Sequence, residues 1–90
     1  MSDELTVTDN VERQRYEIHL GSELAGFVTY HAQPGLITAL HTEVEPAHEG
    51  RGIGSRLVEG MLDDLRSRGL RVLPICPFVR AYVRRHPEAA

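Results

Sequence analysis

Residues 44–55 read Val44-Glu45-Pro46-Ala47-His48-Glu49-Gly50-Arg51-Gly52-Ile53-Gly54-Ser55. This stretch decides the fold because the hydrophobic period changes across it. Before it, Leu36, Thr38, Leu40, Thr42 and Val44 alternate with Ile37, Ala39, His41 and Glu43, the period of two that marks a strand. Apolar residues on both faces predict a central strand covered on two sides. After it, Ile53, Leu57, Val58, Met61, Leu62 and Leu65 form one stripe at helical spacing. Glycines at positions 50, 52 and 54 lie in the turn between. Glycine lets the chain reverse sharply and lets a ligand approach the backbone. The first amides of a helix lack internal partners and sit at the positive end of its dipole. The combination suits a pyrophosphate, although a glycine turn of this kind also serves packing alone. No Gly-Lys-Ser/Thr ending is present, which excludes a nucleoside-triphosphate loop, and the glycine spacing is not that of a dinucleotide fold.

Working outward, Arg13 to Leu20 alternates as a half-buried strand, Gly21-Ser22 signals a turn, and Leu24 to His31 completes a hairpin. Thr6 to Asp9 is expected to add a short edge strand. On the C-terminal side, Gly69 is placed for a left-handed helix cap, with Arg66 and Arg68 at the negative helix end. Leu70 to Ile75 reads as a strand. Strand, helix and strand at this spacing form a crossover, so the last strand is predicted parallel to Leu36–Val44. Pro77 suits the first turn of a final helix that turns Phe78, Val79, Tyr82 and Val83 to the core and ends at His86-Pro87. The fold class is α+β: an antiparallel meander, a crossover helix, a parallel strand and a C-terminal helix. Ninety residues make one small domain, expected to span 1–90.

Composition narrows the function. Hydrophobic residues make up 41% and charged residues 26%, which excludes a wholly disordered chain. No apolar run approaches the roughly 20 residues of a membrane helix. The acidic start, Met1-Ser2-Asp3-Glu4, is unlike a secretory signal, and the lone Cys76 cannot close an internal disulfide. A reduced, cytoplasmic protein without membrane attachment is expected. Residues 1–50 hold nine acids against two arginines, a balance of −7, whereas residues 51–90 hold eight arginines against four acids, +4. The basic half suits an anionic partner or a solvated helix face. The overall charge of −3 argues against a dedicated nucleic-acid binder. His41 and His48 lack a third well-placed ligand, so no metal is expected.

The run Glu49-Gly50-Arg51-Gly52-Ile53-Gly54 resembles the coenzyme motif of the GNAT acetyltransferases, Gln/Arg-x-x-Gly-x-Gly/Ala. With His41-Thr42-Glu43-Val44, Gly50 to Val58, Pro74-Ile75-Cys76-Pro77-Phe78-Val79 and Tyr82 to Pro87, the chain is similar to the very small YjdJ-type GNAT-like proteins, among them the NATD type. The resemblance implies a GNAT-like, acyl-CoA N-acyltransferase fold and an acetyl-CoA-dependent N-acetyltransferase. Acetyl-CoA would be the co-substrate, contacting Thr42, Val44, Glu49, Gly50, Arg51, Gly52, Ile53, Gly54 and Ser55. The strand before the glycine loop would splay from the next parallel strand, with the Val44 N–H aimed at the thioester carbonyl. Glu49 departs from the family's Gln or Arg and sets an acid beside the phosphate loop.

Cys76 falls at a helix start, where a partly exposed thiol is acidified; it is a candidate acyl carrier or proton donor to the leaving thiolate. His41 and Glu43, two apart on a strand face, are candidate general bases. Tyr82 aligns with the family's general-acid tyrosine. Each has a plain structural counterpart: a buried thiol, a sheet histidine, a solvated carboxylate, a core tyrosine. The acceptor is an amine of a peptide, protein or small molecule. The alternative is a catalytically weak coenzyme-A-binding module acting as sensor or partner subunit, and a third reading is a ligand-free structural domain. The protein is expected to be a monomer or weak homodimer.

Overall fold

A computed structural model describes residues 4–89; Met1 to Asp3, part of the acidic start, and Ala90 lie outside the described residues. Five strands form one sheet in chain order: β1 (Leu5–Asn10), β2 (Arg15–Leu20), β3 (Glu23–Gln33), β4 (Leu36–Val44) and β5 (Arg71–Pro74). The first four are antiparallel, and β5 runs parallel to β4. Between β4 and β5 runs helix α1 (Ile53–Ser67), and α2 (Pro77–Arg85) follows β5. The expected edge strand is present and slightly longer than predicted, and the crossover and its parallel partner are as expected.

Helix α1 forms because its stripe meets the sheet. Ile53, Leu57, Val58, Met61, Leu62 and Leu65 are all buried, against Tyr16, Ile18, Val28, Ile37 and Ala39 from the strands. The helix ends in the predicted glycine cap. The Leu70 N–H donates to Leu65 O at 2.9 Å and the Gly69 N–H to Arg66 O at 3.0 Å, the paired bonds of a left-handed terminus. Arg68 is drawn into a network there. It donates to Asp9 Oδ2 at 2.9 Å and to the Tyr16 hydroxyl. Tyr16 donates to Asp64 Oδ2 at 2.6 Å and Tyr30 to Asp9 Oδ1 at 2.6 Å. These bonds fasten β1 to α1 at the end of the molecule away from the glycine turn.

Strand β4 departs from the cover on both faces that its apolar pattern predicts. It is central in the sheet, but only one face is covered. Ala39 pairs with Tyr30 and His41 with Thr29, so Leu40 is an extra residue, a β-bulge. The bulge reverses the alternation. Ile37 and Ala39 face the core before it; after it, Val44 packs toward the core and His41 and Glu43 turn out to solvent. Leu40 itself is exposed, and so are Leu73 of β5 and Ile75 just beyond it. A strict period of two cannot hold across an inserted residue.

Candidate active site

The site lies where β4 outruns β5. Pairing of the two strands stops at Ala39 with Pro74. The Ala39 carbonyl then accepts two N–H groups, from Ile75 at 3.1 Å and Cys76 at 2.9 Å, and the chain turns into α2. Residues 40–44 of β4 therefore have β3 on one side and a gap on the other. The Glu45 N–H donates to Ala25 O at 2.8 Å, toward β3. Backbone groups alternate direction along a strand. The N–H groups of Thr42 and Val44 thus point into the gap.

The glycine turn borders this gap. After a short 3₁₀ turn at Pro46–His48, Gly50 and Gly52 take positive φ, 81° and 73°. A β-carbon at either would meet nothing within 4 Å, so backbone conformation and not crowding requires glycine there. Gly52 is also the N-cap of α1, and a glycine supplies no side-chain oxygen to close the helix end. The first backbone bond of α1 is from the Arg56 N–H to Gly52 O, leaving the N–H groups of residues 50–55 without a backbone acceptor. The first turn contains no acid. Ile53 is 4% exposed, so its backbone alone can face a ligand, while Ser55 is half-buried and Glu49 and Arg51 are exposed. Gly54 has another function. A β-carbon there would stand 2.6 Å from Phe78 Cζ, so this glycine lets α1 and α2 approach. Phe78, expected in the core, covers Gly54 with its ring and remains 41% exposed.

The structure brings some candidate side chains together and separates others. Cys76 is the N-cap of α2 and is 3% exposed; its Sγ lies 3.2 Å from Thr42 Oγ1. The partial exposure that would make it a reactive thiol is not met. His41 Nε2 lies 3.7 Å from Glu43 Oε2, and both side chains are about three-fifths exposed on the outer face. Tyr82 is buried, with its ring 4.4 Å from that of His86. Burial raises its phenol above the usual range, and the carboxylates of Glu59, Asp63 and Glu88 add to the shift. It faces the α1 side and makes no hydrogen bond to Thr42 or Cys76.

Among the described residues, three of the eight arginines in the basic half pair with acids: Arg56 with Glu59, Arg66 with Asp63, and Arg68 with Asp9 and Asp64. Arg51 makes no such pair and is available at the loop. Two further features leave no local signal in the chain. The Phe78 ring on Gly54 joins residues far apart in the chain. His48 is buried and bonds Glu23 across 25 positions. Among the described residues no three His, Cys, Asp or Glu side chains form a metal-binding group, and no helix is long and apolar enough to cross a membrane.

An open parallel strand pair, a helix entered through glycines and a set of free amides match the acyl-CoA N-acyltransferase fold expected from the sequence. A family model described as GCN5-related N-acetyl-transferase matches residues 15–90, and the chain belongs to this GNAT family. Among solved structures, the ribosomal-protein-S18-alanine N-acetyltransferase of Escherichia coli matches with a TM-score of 0.58 and 23% identity, over 62% of this chain and 36% of that one. The ribosomal-protein-alanine N-acetyltransferase of Brucella melitensis biovar Abortus 2308 matches with a TM-score of 0.59 and 22% identity, over 82% and 57%. Ard1 of Thermoplasma volcanium matches with a TM-score of 0.53 and 17% identity, over 63% and 39%. The chain thus spans between about a third and just over half of these proteins' lengths. No match was found among curated protein sequences.

Proposed function

We propose that this chain transfers an acetyl group from acetyl-CoA directly to an amine, as a member of the small YjdJ/NATD type. One observation carries the reading: the N–H groups of Thr42 and Val44 face a gap that begins beside the unpartnered amides of residues 50–55. The residues fit the coenzyme. The loop amides and Arg51 would hold the pyrophosphate, and the gap would take an extended thioester arm in the place of a missing strand. The Val44 N–H would stabilise the charge that develops on the carbonyl oxygen.

Glu43, with His41 beside it, stands on the exposed face and would take the proton of the attacking ammonium, directly or through water. Cys76 is the proton source we assign for the leaving thiolate, held in place by Thr42. Its burial speaks against service as an acyl carrier, and the surroundings of Tyr82 speak against a role for that phenol. The open outer face around Leu40, His41 and Glu43 suits a protein or peptide amine, and two of the similar structures carry names of ribosomal-protein-alanine acetyltransferases. The same openness favours, as second reading, a coenzyme-A-binding module without useful turnover.

Thermal unfolding with acetyl-CoA tests the first step. At a hundredfold excess over its dissociation constant the coenzyme should stabilise the protein by about 2.7 kcal/mol. No shift would remove both readings. Thiol release with peptide amines then separates enzyme from binding module.

A further inference from the structure

We propose that His48 is a positioning residue for the coenzyme loop and that Glu23, at the start of β3, holds it. The inference rests on the reading of residues 50–55 as the acetyl-CoA loop. His48 closes the 3₁₀ turn that follows β4 and is 6% exposed. Its Nε2 lies 3.1 Å from Glu23 Oε2. A carboxylate only accepts, so Nε2 carries a proton. Nδ1 is buried without a hydrogen-bond partner. An apolar side chain would fill the same space without leaving a polar atom stranded. Burial therefore does not account for a histidine here, and the bond to Glu23 does.

The position of that bond gives it a consequence for the loop. The chain leaving β4 is fixed to the start of β3 twice, by the Glu45 N–H on Ala25 O and by His48 on Glu23. Beyond His48, residues 49–52 are exposed, and the next buried side chain is Ile53. The glycine loop is thus suspended between two anchors. Ile53 is held by the core. His48 is held by its burial, by its N–H on Glu45 O at 2.8 Å and, across to β3, by a single side-chain bond to Glu23, which is itself 66% exposed. Losing the bond to Glu23 removes the side-chain tie of this anchor to β3 and widens the range of shapes open to the loop, which the coenzyme must then narrow on binding. The β4 backbone, where the chemistry occurs, keeps its own contacts with β3. Loss of the anchor should therefore raise the KM for acetyl-CoA and leave kcat nearly unchanged.

The test uses the variants E23A, H48L and H48Q, whose amide can still donate to Glu23. Acetyl-CoA affinity is measured by calorimetry, with KM and kcat where turnover is seen. Trypsin cleavage after the exposed Arg51 is followed in coenzyme-free protein, with cleavage after Arg66 in α1 as reference. In E23A and H48L we expect cleavage at Arg51 to accelerate about three- to tenfold with Arg66 unchanged, and acetyl-CoA affinity to fall by a similar factor. H48Q should stay within about twofold of the wild type on both measures. Wild-type behaviour of E23A in cleavage and affinity overturns the proposal, as does equal acceleration at Arg51 and Arg66, which would mean general destabilisation. Wild-type protein that binds no acetyl-CoA overturns the functional reading instead, and the Arg51 cleavage rates still decide whether the anchor exists.

Discussion

The hydroxyl of Thr42 and the thiol of Cys76 lie 3.2 Å apart, joining the inner side of β4 to the N-cap residue of α2 just beyond the point where β5 leaves. The contact closes the deep end of the gap. It exists because the bulge at Leu40 changes which residues of β4 face inward.

Cys76 should accordingly be slow to react with a thiol reagent in the native protein and react fully once the chain is unfolded. Incubation with acetyl-CoA in the absence of an acceptor should leave no acetylated Cys76 in the intact mass. A stable adduct there would replace direct transfer with an acyl-enzyme route. Thr42→Val, which keeps the shape and removes the hydroxyl, should cost about 1 kcal/mol in chemical denaturation.

Gly52 and Gly54 should respond differently. Gly52→Val places a β-branched residue at positive φ in open space, costing about 1–2 kcal/mol and lowering acetyl-CoA affinity at least tenfold by calorimetry. Gly54→Ala drives a methyl group against Phe78, so it should destabilise by about 1 kcal/mol despite alanine's helix preference. In a Phe78→Ala background the same change should be neutral or stabilising. Such non-additivity is the sign of direct contact.

Glu43→Gln should lower kcat about a hundredfold and leave the affinity for acetyl-CoA within twofold of the wild type, because the carboxylate lies on the exposed outer face of β4, where the proposed acceptor would approach. A matching loss of coenzyme affinity would place Glu43 in binding instead.

Stability should decline at both ends of the pH range, through different residues. Burial pushes the Glu17 carboxyl up, but hydrogen bonds from Arg15 and Asn10 and the charges of Arg15 and His19 outweigh it and hold the group below the ordinary range. Unfolded chains protonate glutamate at about pH 4.3, before the folded protein does. This contribution is present above that pH and is lost as pH falls through the folded value. Urea midpoints should therefore drop less steeply in acid for Glu17→Gln than for the wild type. Burial, helped by hydrogen bonds to Asp64 and Asp9, raises the Tyr16 and Tyr30 phenols above their usual range. Their contribution is complete below about pH 10 and is lost as pH rises above it, when only the unfolded chain ionises. A urea midpoint unchanged between pH 9 and 11 would contradict this.

The chain's own residues determined the local elements. Period two in Tyr16 and Ile18, helical period from Ile53 to Leu65, Gly69 at a helix end and Pro77 at a helix start are all local signals, each set by backbone geometry within a few residues. The glycine turn at 50–54 was legible for the same reason. The tertiary structure decided which way β4 faces, since an extra residue at Leu40 shows only against the partner strand Thr29–Tyr30. It also decided that Cys76 is buried against Thr42, that Gly54 makes room for Phe78, and that His48 is tied to Glu23. Those pairs are separated by 20 residues or more and are brought together by the packing of the sheet and helices, which no local period encodes.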